Sequence, residues 1–257
     1  MTEIAYTEMG AGYPVVLLHG FCENKSMWET LQTELSADYR VICPDIPGFG
    51  DSPALKEVSM ESAAAALYDW LKAKDIFECI FIGHSLGGYI TLAIEEAYPN
   101  FLKAYGLFHS SALADAPEKK EARDKTIASV KQYGKEAFLK TFIPGLYNPL
   151  RIEEYGEFLH HSERMGKKTS AESIMSYLAA MRDRSERMYL LKQKSKPVLF
   201  IAGAQDAAVP LEKSLQHQPF IDKKDFHLLQ EAGHMGFYEC PQESLKIIRS
   251  FLVDALA

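Results

Sequence analysis

The chain has 257 residues, 47% of them hydrophobic and 25% charged, with a formal net charge of −7. That length and apolar content suit one large buried core. The acidic balance argues against nucleic acid, which is held by clustered Lys and Arg, and against anionic membrane surfaces.

The opening residues Met1-Thr2-Glu3-Ile4-Ala5-Tyr6 carry no basic segment and no long apolar run. No signal peptide and no membrane span are expected, and the expected setting is cytoplasmic. A first strand is expected over 3–8 and a second over 15–19, where Val15-Val16-Leu17-Leu18 ends in His19-Gly20-Phe21. Gly20 lets the backbone approach a ligand closely, and His19 is expected to brace the loop. A helix over 27–35 and a strand over 40–43 follow. The loop Pro44-Asp45-Ile46-Pro47-Gly48-Phe49-Gly50-Asp51-Ser52 comes next, with Asp45 and Asp51 expected to hydrogen-bond loop backbone. Ser59, Glu61 and Ser62 make a polar entry to a helix over 60–74. Cys22, Cys43, Cys79 and Cys240 show no C-x-x-C spacing, which predicts free thiols and no disulfide.

The apolar run 79–82 meets Gly83-His84-Ser85-Leu86-Gly87-Gly88 and then a helix over 86–98, ended by Pro99. A strand that turns abruptly into a helix forces Ser85 into a strained backbone, and Gly83 and Gly87 remove the side chains that would collide with it. Ser85 then stands at a helix start, where the dipole favours developing negative charge. His84 is expected to point away from the cleft. After a strand over 104–108 the rhythm breaks. Residues 113–194 read as helices over 118–133, 135–142, 151–164 and 171–184, separated at Gly134, Pro144-Gly145, Pro149 and Gly166-Lys167-Lys168. The strand–helix alternation resumes with a strand over 198–202, a loop bearing Asp206, and a helix over 211–217. A strand over 225–229, a loop bearing His234, and a helix over 241–255 complete it. Strands alternating with helices predict an α/β fold with a mostly parallel central sheet. Ser85, Asp206 and His234 each follow a predicted strand, and in such a sheet ligands bind beyond the strands' carboxyl ends.

With the G-x-S-x-G turn, the His-Gly loop, the serine–acid–histidine order and a loop similar to D-x-P-G-x-G-x-S, the chain resembles the α/β-hydrolase fold superfamily of esterases, lipases and C–C hydrolases. The resemblance covers nearly all of the chain except the middle insertion. It implies a core of residues 1–112 and 195–257 with a helical cap over 113–194, which excludes water and shapes a pocket. Phe138, Phe142, Ile143, Leu146, Tyr147, Tyr177 and Met181 are the candidate pocket residues.

The chemistry expected is acyl transfer from a small or medium ester to water. Ser85 attacks, His234 takes its proton, Asp206 fixes the imidazole tautomer, and the backbone N–H groups of Phe21 and Leu86 hold the oxyanion. No cofactor or metal is required. Asp115 is the alternative acid, since some members of the family place theirs after the earlier strand. C–C hydrolysis, lyase and perhydrolase chemistry remain alternatives on the same residues. So does a small-ligand binding module, although a pure binder has no need of all three side chains. The residue before the serine is His84, where C–C hydrolases of ring-cleavage products tend to carry Asn.

Overall fold

The computed structural model describes residues 3–257. Met1 and Thr2, the start of the stretch read for a leader, lie outside the described residues. Seven strands form one sheet: β1 (Tyr6–Met9), β2 (Pro14–Leu18), β3 (Arg40–Pro44), β4 (Cys79–His84), β5 (Leu102–Phe108), β6 (Val198–Gly203) and β7 (Phe226–Leu229). Their order is β1-β3-β2-β4-β5-β6-β7. β1 runs antiparallel to β3 and every other pairing is parallel. The interior strands are unbroken apolar runs because both faces are covered; every residue of β4 is buried.

The core helices are α1 (Glu29–Leu35), α2 (Met60–Lys72) and α3 (Leu86–Ala97). Helix α2 begins with a reciprocal cap: Ser62 N–H donates to Ser59 Oγ at 3.0 Å and Ser59 N–H to Ser62 Oγ at 2.9 Å. Between β5 and β6 the chain forms α4 (Pro117–Tyr133), α5 (Lys135–Phe142), α6 (Gly156–Lys168), α7 (Ala171–Asp183) and α8 (Met188–Gln193). The short α9 (Leu211–Ser214) follows β6, and α10 (Gly236–Glu239) and α11 (Pro241–Leu256) follow β7. No helix among the described residues is long and apolar enough to cross a membrane. All four cysteines are free thiols.

Three elements differ from the sequence expectation. Helix α6 runs through Gly166 instead of breaking there. A Cβ on Gly166 would lie 2.9 Å from Leu139 Cδ2 and 3.2 Å from Ile143 Cδ1, so this glycine marks a close helix–helix approach, not a turn. Helix α9 stops at Ser214 because the His217 ring turns back on the carbonyls of Lys213 and Ser214, at 3.0 and 3.2 Å, and Pro219 stands just beyond. Helix α8 was not foreseen at all.

The start of α8 is anchored by charge. Arg187, 2% exposed, donates to Glu61 Oε1 at 2.6 Å and Glu96 Oε2 at 2.7 Å, joining the end of the insertion to α2 and α3. Both glutamates keep water contact, so the loss on removing the guanidinium falls below that of a fully buried pair. Arg187→Ala is expected to cost about 2 kcal/mol in denaturant unfolding. An unchanged midpoint would show that the ion pairs contribute nothing.

Candidate active site

Ser85 follows β4 directly, with φ +50 and ψ −113, outside the conformations that an L-residue prefers. Close approach of neighbouring backbone forces the turn. A Cβ on Gly83 would lie 2.4 Å from the Gly87 carbonyl, and one on Gly87 would lie 2.4 Å from Leu18 O. The Ser85 amide donates to Phe108 O at 2.9 Å, and Ser110 Oγ donates to Ser85 O at 2.7 Å. The side chain is half-buried. Helix α3 starts at Leu86, so the Leu86 N–H belongs to the first turn, which has no intrahelical acceptor.

Asp206 and His234 arrive from the loops after β6 and β7. His234 Nδ1 stands 2.7 Å from Asp206 Oδ2, and both side chains are almost wholly buried. The other carboxylate oxygen accepts the Ala208 and Val209 amides, each at 2.8 Å. Burial pushes the Asp206 carboxyl up, but the surrounding imidazoles and their hydrogen bonds outweigh it and hold the group far below the usual carboxylate range. No hydrogen bond joins Ser85 Oγ to His234 among the described residues. The two are neighbours through His84, whose Nε2 lies 2.8 Å from the His234 carbonyl oxygen.

A residue absent from the sequence reading completes the cluster. His109, fully buried, places Nδ1 3.1 Å from the same Asp206 Oδ2. Burial lowers its pKa to about 4 despite the carboxylate, so the ring is neutral with the proton on Nδ1. It is the first residue beyond β5, as Ser85 is the first beyond β4, and it shares the positive φ, +49. That position at the sheet's carboxyl edge was the available signal. The ligand atoms of His109, Asp206 and His234 lie within 4.8 Å of one another, close enough to grip a metal ion. A metal would have to displace the Nδ1 protons that both rings direct at Asp206.

Beneath the cleft lies a buried ionic brace. His84 Nδ1 faces Glu23 Oε2 at 3.0 Å, and the same oxygen accepts the Gly20 amide at 2.6 Å. Burial lowers the His84 pKa and raises that of Glu23. Their mutual attraction outweighs both effects, raising His84 and lowering Glu23. His19 accepts the Ile46 amide on Nε2 at 2.8 Å and faces Gly20 O with Nδ1 at 2.8 Å, bracing the loop. Asp45 accepts the Lys25 and Asp51 amides at 2.7 and 2.8 Å. Asp51 meets the Lys25 ammonium at 2.6 Å instead of loop backbone. Asp115 is tied to Arg123 and Arg184, at 2.5 and 2.7 Å, and not to His234.

The candidate pocket residues separate into groups. Phe138 and Phe142 stack at 4.9 Å between centroids, and both reach the Phe21 ring, at 6.2 and 5.6 Å. Ile143 packs at Gly166. Leu146 O accepts the His234 amide at 2.7 Å, and Tyr147 bonds Ser162 through its hydroxyl at 2.8 Å. Tyr177 donates to Pro47 O at 2.7 Å and packs on Phe49, 4.7 Å between centroids. Met181 is buried, with Sδ facing Arg123 Nη1 at 3.6 Å.

A family model described as alpha/beta hydrolase fold matches residues 13–241. Lipase 1 of Psychrobacter immobilis is 26% identical over 256 residues, spanning 97% of this chain and 80% of that protein. A 2-hydroxy-6-oxo-2,4-heptadienoate hydrolase of Pseudomonas putida is 26% identical, spanning 95% and 91%. Among solved structures, a thermophilic esterase from Thermogutta terrifontis superposes with a TM-score of 0.92 at 28% identity, covering 99% of this chain and 94% of that one. With its sheet order, its strained serine turn and this match over most of its length, the chain belongs to the alpha/beta hydrolase fold family.

Proposed function

We propose that the protein is a serine hydrolase that cleaves a small or medium acyl ester by way of an acyl-enzyme. The observation that carries this reading is the 2.7 Å contact of His234 Nδ1 with the Asp206 carboxylate, beside the strained Ser85. An Nδ1–H tied to a carboxylate leaves Nε2 free to accept a proton. On substrate binding the Ser85 hydroxyl closes on Nε2, gives up its proton and attacks the carbonyl carbon. The oxyanion is held by the N–H groups of Phe21 and Leu86, where one such donor contributes roughly 3 kcal/mol of barrier. His234 then protonates the leaving alcohol, and a water deprotonated by His234 releases the acid.

Residues 113–194 act in this reading as a cap, with Phe138 and Phe142 forming the apolar wall next to Phe21. Relatives named lipase and esterase support ester hydrolysis, and a relative as identical as the lipase, named 2-hydroxy-6-oxo-2,4-heptadienoate hydrolase, keeps C–C cleavage as the second reading. A fluorophosphonate probe followed by peptide mapping tests the nucleophile directly. Label is expected on Ser85, absent in Ser85→Ala, together with hydrolysis of p-nitrophenyl acetate or butyrate. Label elsewhere, or equal ester turnover by wild type and Ser85→Ala, would overturn the assignment.

A further inference from the structure

The acidic chain carries a cationic cleft of about 190 Å³ beside the site. Lys119 and Arg123 from α4, Arg184 after α7, and Lys213 of α9 line it, against the single carboxylate of Asp115. Asp115 is already engaged by Arg123 and Arg184. Neither Lys119 nor Lys213 has an ion-pair partner among the described residues. Arg184, 7% exposed, lies over the Tyr89 ring at 4.1 Å, and its Nε–H has no acceptor. The positive charge of this wall is therefore under-compensated.

The cleft adjoins the catalytic groups. Two of its wall residues, Ala208 and Val209, are those whose amides hold Asp206 Oδ1. Tyr89 stands one helical turn beyond Ser85, and Ser111 is next to Ser110, whose hydroxyl bonds the Ser85 carbonyl.

We infer that this cleft takes the free carboxylate of a substrate whose ester sits at Ser85, so that the preferred substrates are half-esters of short dicarboxylic acids. This deepens the esterase reading and rests on it. A carboxylate there meets the ammonium groups of Lys119 and Lys213, with the cost of removing it from water offset by charge-assisted hydrogen bonds.

The test compares kcat/KM for monoethyl glutarate with that for ethyl butyrate. The wild type is expected to favour the half-ester by about tenfold, mainly through KM, the scale of one charge-assisted hydrogen bond. The ratio is expected to fall towards one in Lys119→Ala and to recover in Lys119→Arg. A ratio near one in the wild type, or one that Lys119→Ala leaves in place, overturns the inference. A second readout does not need turnover. Glutarate at physiological salt is expected to raise the melting temperature, and Lys119→Ala to reduce that shift. Failure to hydrolyse any ester, with glutarate stabilisation intact, would sink the esterase reading and not the anion site. Equal stabilisation by inorganic phosphate and glutarate, with no preference for the half-ester, would make the cleft a general anion site and overturn the substrate assignment.

Discussion

Asp206→Asn is expected to lower kcat for ester hydrolysis about 10⁴-fold while leaving the protein folded. The reason lies in how the carboxylate is used. One oxygen accepts two backbone amides, from Ala208 and Val209, and the other faces two imidazoles, His234 and His109. Four donors converge on a group that only accepts. An asparagine must turn its NH₂ towards one end. Turned towards the amides, it leaves two buried N–H groups opposed by donors. Turned towards the rings, it keeps the loop intact but requires His234 Nδ1 to accept. The His234 proton then moves to Nε2, where a base is needed, and general-base catalysis is lost. Steady-state kinetics on p-nitrophenyl butyrate checks this. Activity within tenfold of wild type would show that Asp206 does not set the tautomer.

Glu23→Gln should have the largest effect on stability, roughly 3–5 kcal/mol, the scale of breaking a buried ion pair. Both ring nitrogens of His84 face acceptors, the Glu23 carboxylate and the His234 carbonyl. Both must donate, so the ring is an imidazolium and Glu23 is its counter-charge. A glutamine leaves the ring either charged and unpaired or neutral with one acceptor unserved. A fall of roughly 10 °C in melting temperature is expected for a chain of this size.

The sign of the pH dependence follows from the two shifts. Glu23 is lowered in the folded state, so its contribution is present above the ordinary glutamate pKa near 4.3 and is lost as pH falls through the lowered folded value. His84 is raised, so its contribution is full below about 6.5 and is lost as pH rises through the raised folded value. The stability gap between wild type and Glu23→Gln is therefore widest between about pH 4.3 and 6.5 and narrows in alkali. Urea unfolding from pH 5 to 9 measures it, and a gap that stays constant across that range would rule out the ion pair.

The parts of the site that the sequence displayed are those fixed by local geometry. Ser85 is flanked by glycines that no other residue could replace at 2.4 Å from backbone, and Asp206 and His234 each follow an apolar strand run. All seven strands were legible for the same reason, since continuous burial writes a continuous apolar run. What stayed hidden depends on contacts across the chain. His84 reads as a bystander until Glu23, 61 residues away, and the His234 carbonyl, 150 away, come into place. His109 meets Asp206 across 97 residues, and no local pattern records that. Gly166 was misread because a glycine at a helix crossing and a glycine at a turn look alike in one dimension.

Leu146 O accepts the His234 amide, and the Asn148 amide donates to Glu239 Oε1 at 2.7 Å. The stretch around 146–148 is thus stitched to the histidine loop, although it belongs by sequence to the inserted helices. Any displacement of the inserted helices that kept His234 in place would have to leave residues 146–148 behind with it. A chimera that retains 146–148 from this chain is expected to keep the placement of His234. One that imports a foreign segment there must rebuild that placement along with the pocket.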